Sequence, residues 1–193
     1  FYGNFSISSN MLKTSFDKKS IDQSDSFDNM KENLKIISLR LINQKGINNI
    51  EFDAQGYPIG FSQNSQEVLV PAFISAYTGN NANSVGLNPI SDKPKINWSI
   101  QYDGLSEGLK DIFSRISLRH SYRSNFTINN FQSNLNYSEN SFNSVGDYES
   151  KIFFSNINLV EQFNPLIRVD LELKNSLRLS FDVIKDRAVS LSL

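Results

Sequence analysis

The C-terminal part of this chain alternates apolar and polar residues over several runs, and that pattern most restricts what it can fold into. Ile167, Val169, Leu171 and Leu173 are interleaved with Arg168, Asp170, Glu172 and Lys174. Beyond Asn175-Ser176, Leu177, Leu179, Phe181 and Val183 are interleaved with Arg178, Ser180 and Asp182. After Lys185-Asp186, Val189 and Leu191 face Ser190 and Ser192. Successive strand side chains point to opposite faces, so each run predicts a strand with one apolar and one polar face. A longer run comes earlier, with Ile116, Leu118, His120, Tyr122, Phe126 and Ile128 against Ser117, Arg119, Ser121, Arg123, Asn125 and Thr127. A tilted strand of about 9–11 residues crosses a bilayer, and this run is long enough.

Residues 95–193 are therefore read as successive antiparallel strands. Ile96, Trp98, Ile100 and Tyr102 alternate in the first, before a connector at residues 105–113. A polar loop is expected over residues 131–150, then a strand at residues 152–159 and a turn at Asn164-Pro165. Residues 1–16 are read as another strand, with Phe1, Phe5, Ile7 and Met11 on one parity. Residues 17–94 break the strand texture. A polar stretch at residues 17–24 leads to Asp25 or Ser26 as the cap of a helix carrying Phe27, Met30, Leu34, Ile37 and Leu41, ended by Gly46. A second helix is expected over residues 66–77, with Pro71 in its first turn. Glycines and prolines punctuate the remainder, so residues 17–94 are read as an insertion that caps or narrows a lumen.

Several classes are excluded. No stretch approaches the roughly 20 apolar residues of a membrane-spanning helix, and no signal peptide is visible behind Phe1. Both ends of the sequence read as cuts in a longer chain. The net charge of -1 supplies no field for nucleic acid, and the absence of Cys removes disulfides, thiolate metal sites and cysteine nucleophiles. No cofactor, metal site or catalytic constellation is expected. His120 is the only histidine and lies on an apolar parity, so it is read as a packed or interfacial ring. Glu161 with Asp170 is the one imaginable carboxylate pair, and no supporting groups can be assigned to it. Gly104 is a turn glycine. Trp98 and Tyr102 fit an aromatic belt at a membrane edge or an ordinary core.

The polar parity of the last strands collects Arg168, Asp170, Glu172, Arg178 and Asp182. Such charged rows suit a water-filled lumen, although alternation by itself also fits a soluble antiparallel sheet. The fold expected is mainly all-β, a section of a large antiparallel transmembrane β-barrel with a small helical insertion. A small-molecule uptake barrel or porin, and a cell-surface β-sandwich adhesin, stand as alternatives.

An ordered set of short motifs sharpens this reading: Asn97-Trp98, Tyr102-Asp103-Gly104-Leu105, His120-Ser121-Tyr122-Arg123-Ser124 and Glu161-Gln162-Phe163-Asn164-Pro165-Leu166-Ile167. In that order they resemble the SprA (Sov) family of gliding-motility proteins, the outer-membrane translocons of type IX secretion in Bacteroidetes-type bacteria. Ile96, Asn164 and Arg168 depart from the family pattern, where proline, serine and glycine are usual. The resemblance implies a very large single-chain barrel in the cell outer membrane, wide enough for folded cargo and open laterally toward partner barrels. Its implied partners are outer-membrane lipid, secreted protein cargo, and plug- and shuttle-type outer-membrane proteins of the same system.

Overall fold

The computed structural model describes residues 1–17, 24–91 and 93–193. Its framework is one open antiparallel sheet built from β1 (Tyr2–Ser8), β2 (Trp98–Tyr102), β3 (Phe113–Ser133), β4 (Ile152–Phe153), β5 (Asn156–Leu173) and β6 (Arg178–Ser192). The main order is β1-β3-β5-β6, with β2 and β4 also paired to β3. Two helices, α1 (Asp25–Gln44) and α2 (Gln66–Thr78), come from the insertion.

β1 and β2 are two halves of one strand. Both pair with the same edge of β3, β1 at Phe126 and Asn125 and β2 from Tyr122 downward. The chain leaves the ladder after Ser8 and returns beside it, for the Lys95 amide donates to the Ser8 carbonyl at 3.0 Å. The expected strand over residues 1–16 thus ends at Ser8. Residues 12–14 form a 3-10 turn instead, because Met11, Thr14 and Ser15 are buried against the sheet rather than paired along it.

Other expectations are corrected in the same way. Asn164-Pro165 is not a turn between strands. β5 runs through it, and residues 164–166 bulge out of register with both neighbours. The bulge is tolerated because β3 side chains satisfy its carbonyls: His120 Nδ1 donates to Leu166 O at 2.6 Å, and Ser121 Oγ donates to Asn164 O. Lys185-Asp186 does not interrupt β6 either, since these residues pair with Phe163 and Gln162. The strand expected at residues 152–159 is split into β4 and the start of β5. Gln66 bridges that break, its side chain donating to Ile152 O at 2.7 Å and accepting from Phe154 N at 2.8 Å.

α1 begins one residue earlier than expected, with Ser24 as its cap accepting from Phe27 N. Most of the polar stretch before it, residues 18–23, lies outside the described residues. Gly46 follows the end of α1 at φ +74°, a conformation glycine adopts without strain. Pro71 sits in the second turn of α2, where it cannot donate to the Glu67 carbonyl. Burial offsets that loss: Val68, Val70, Ala72, Phe73, Ile74 and Ala76 are all in the core.

β3 has 21 residues, which at about 3.3 Å each makes it roughly 70 Å long. Paired residues share a face, so the register defines two faces over the whole sheet. One carries Ile116, Leu118, His120, Tyr122, Phe126 and Ile128 on β3, and odd-numbered residues from Ile157 to Leu173 on β5. The helices cover only one end of this apolar face, packing over Phe126, Ile128, Ile157 and Leu159. The loop between β3 and β4 wraps back onto the same subdomain, where Asp147 accepts from Ser62 N at 2.7 Å and Ser62 Oγ at 2.8 Å.

Candidate functional site

Below the helices the sheet continues as a bare two-faced wall. Its apolar face exposes Ile167 (48%), Leu179, Phe181 (59%) and Val183 to solvent, and across β3 the exposed Ile100 and Tyr102 of β2 lie on the same face. Leaving such a patch uncovered is costly in water, and its extent exceeds scattered surface apolar residues. On the same strands, the opposite face holds the polar residues picked from the sequence. Arg168 Nε lies 3.1 Å from Asp170 and its guanidinium 3.8 Å from Asp182, while Arg178 lies 3.0 Å from Glu172. Ser180 Oγ donates to Asp170 at 2.6 Å.

Pairing with β3 extends this charged lattice with residues that the alternation shows but that were not singled out. Arg119 lies 4.0 Å from Asp170, and Arg115 lies 3.9 Å from Asp103. Arg115, Arg119, Arg168 and Arg178 line one groove of about 410 Å³ together with Asp170 and Glu172. The lining has four arginines against two carboxylates, and Asp103 and Asp182, which pair with Arg115 and Arg168 from outside it, offset that excess.

A row of rings and buried charges crosses the apolar face between the helix-covered end and the bare end. Trp98 stacks on Tyr122 with centroids 4.6 Å apart, and Tyr122 meets Phe163 at 5.0 Å. His120 lies 6.3 Å from Trp98 and 6.1 Å from Phe163, a half-buried ring whose Nδ1–H serves the bulge. Lys185 sits over Phe16 at 4.2 Å. Glu161, only 1% exposed, accepts from Ser15 Oγ at 2.5 Å and Tyr122 Oη at 3.1 Å, and lies 3.3 Å from Arg187. The contact, between Arg187 Nη2 and Glu161 Oε2, lacks hydrogen-bond geometry, and among the described residues neither Glu161 Oε2 nor Arg187 Nε has a hydrogen bond. Arg187 instead donates to Thr14 O at 2.8 Å and Met11 O at 3.3 Å, clasping the 3-10 turn to the sheet.

The motif residues therefore divide. Trp98, His120, Tyr122, Glu161 and Phe163 meet in the row, with Pro165 in the bulge beside it. Arg123 and Gln162 pair across the ladder on the charged side, Arg123 being exposed. Tyr102, Asp103 and Gly104 lie at the far end of β2, and a Cβ on Gly104 would come within 2.6 Å of Tyr102 Oη. Glu161 and Asp170 occupy opposite faces, so they form no carboxylate pair. Ser15 was not singled out from the sequence, and Arg187 entered there only as a position continuing the resemblance, with no buried partner assigned to it. Arg187 stands on an apolar parity between Lys185 and Val189, and that misplacement was the available signal.

Among the described residues, no group of His, Cys, Asp and Glu is arranged to hold a metal, and no helix is long and apolar enough to cross a membrane. Comparison with known proteins found no matching family model and no matching curated protein. What the fold defines is a class: a mainly antiparallel, open β-sheet protein with one amphipathic wall and a helical subdomain inserted in a strand.

Proposed function

We propose that this chain forms neighbouring strands of a large outer-membrane β-barrel that conducts secreted proteins, as in type IX secretion. The observation that carries the spanning part is the bare wall, whose exposed apolar face at Ile167–Val183 backs directly onto the Arg168, Asp170, Glu172, Arg178 and Asp182 lattice. Lipid would cover the first face and water with passing cargo the second, with every backbone group in the hydrocarbon paired in the ladder. Trp98, the half-buried outer ring of the row, then lies where interfacial aromatics belong. Protein secretion, with plug- and shuttle-type outer-membrane partners, is supported by the ordered sequence motifs.

Outer-membrane barrels keep short turns toward the periplasm and long loops outside. The short hairpin between β5 and β6 is then periplasmic, and the insertion and the loop between β3 and β4 are extracellular. The helices pack on the apolar face, the one turned to lipid lower down. On this reading the insertion stands outside the barrel wall and does not narrow the lumen.

Single cysteines in the otherwise cysteine-free chain test the orientation. In the full-length protein in native membranes, Cys at 179, 181 and 183 should react with a lipid-phase thiol probe. Cys at 168, 170 and 182 should react with a water-soluble one. Reversed labelling, or water-phase labelling of both sets, would remove the barrel reading; loss of secreted proteins from the medium on depletion of the full-length protein tests the transport claim.

A further inference from the structure

Between β1 and the C-terminal end of α2 lies a cavity of about 400 Å³ with a divided wall. Ile7, Ile74 and Phe126 give it an apolar floor, while Lys13, Lys93 and Lys95 stand around it. Among the described residues no carboxylate lines it, and none of the three ammonium groups has a carboxylate partner. Lys13 donates to the Gly79 carbonyl at 3.3 Å. Like charges gathered around one cavity repel one another, so the arrangement is stabilised by an anion held among them. A bare anion would leave the apolar floor unused; an amphiphile uses both.

Position along the sheet narrows the ligand further. The cavity sits at the level of Ser8 and Asn125, directly above the Trp98–Tyr122 row, and the bare apolar wall with Ile100 lies beneath. Cations, then rings, then exposed hydrocarbon is the order in which a lipid presents its headgroup, its interface and its chains. We propose that this cavity binds the phosphate-bearing headgroup of an outer-leaflet lipid, with the acyl chains running down the apolar wall. The choice of leaflet rests on the barrel reading above; the phosphate chemistry rests on the lysines.

The test uses the full-length protein, solubilised, delipidated and reconstituted in phosphatidylcholine nanodiscs, with purified bisphosphorylated lipid A as probe. Retention of the probe is read by native mass spectrometry, alongside the Lys13→Gln/Lys93→Gln/Lys95→Gln variant. With about 1 kcal/mol per lysine near an anionic surface, the variant should bind on the order of a hundredfold more weakly. Dephosphorylated lipid A should bind as weakly to wild type as the probe does to the variant. Equal retention by wild type and variant overturns the proposal. Full displacement of the probe by millimolar inorganic phosphate also overturns it, by assigning the cavity to free phosphate. Because nanodisc insertion is scored separately by flotation, a protein that inserts but ignores the lysines loses only this site. One that fails to insert loses the barrel reading.

Discussion

The Lys95 amide and the Ser8 carbonyl, 3.0 Å apart, close the entire insertion at its base. Ser9 N donates to Ser124 O at 2.8 Å, and the Asn97 side chain accepts from Ser124 N at 2.9 Å, so both ends of the excursion abut one residue of β3.

Joining Ser9 directly to Asn97 should therefore restore one continuous strand, with Ser8 still opposite Asn125 and Trp98 still opposite Tyr122. The excision uncovers Phe126, Ile128, Ile157 and Leu159. By itself it is expected to lower the assembled protein by exposing that patch, and addition of Phe126→Ser and Leu159→Thr should restore it. Assembly is measured by heat-modifiable gel migration. On the barrel reading proposed above, which puts the insertion outside the wall, exclusion of large antibiotics should be unchanged in the restored protein; a rise in leakage would place it in the lumen.

Breaking the buried pair at the ring row should be expensive. Glu161→Gln leaves the Arg187 charge, itself 8% exposed, without its counter-ion, at a cost of about 3–5 kcal/mol. Glu161→Met with Arg187→Met removes both charges and should cost less. The readouts are the urea midpoint and tryptic cleavage after Lys13, which the single variant should open by releasing the 3-10 turn. Identical cleavage in wild type and variant would show that the clasp does not hold the turn.

On the proposed barrel reading, depth in the membrane predicts a contrast between neighbours on β6. Phe181→Arg introduces a charge on the exposed apolar face and should cost about 2–4 kcal/mol of barrel stability. Asp182→Asn removes one end of a 3.8 Å surface ion pair and should cost at most about 1 kcal/mol. Equal effects in lipid-vesicle folding titrations would mean that both faces meet water.

Glu67, at the start of α2, gives a pH dependence to the subdomain. Burial raises its pKa above the ordinary carboxylate value, against the opposing pull of Lys45, a Ser150 hydrogen bond and Lys151. A raised pKa in the folded state means the contribution to stability is complete when the carboxyl is protonated and fades as pH rises through the folded value. Thermal unfolding of wild type should show lower stability at neutral pH than in mild acid from this group. Glu67→Gln should flatten that slope and be no less stable at pH 7; a steeper slope in the variant would contradict the burial account.

Alternation alone determined which residues of β3, β5 and β6 lie on the apolar face and which on the charged one, because side-chain direction along a strand depends only on parity. Ile167 to Val183 and Arg168 to Asp182 fell on the faces that their spacing required. Helix α1 was legible for a similar reason, since Met30, Leu34, Ile37 and Leu41 repeat at the helical period. What parity cannot encode is which distant residues meet. The return of the chain to Ser8 through Lys95, the capture of Met11 and Thr14 by Arg187, and the tolerance of Pro71 inside α2 all depend on contacts far apart in sequence. The Asn164-Pro165 pair has the local chemistry of a turn, yet β5 continues through it. The side chains of His120 and Ser121 supply its missing hydrogen bonds from another strand, so only the assembled sheet could decide between turn and bulge.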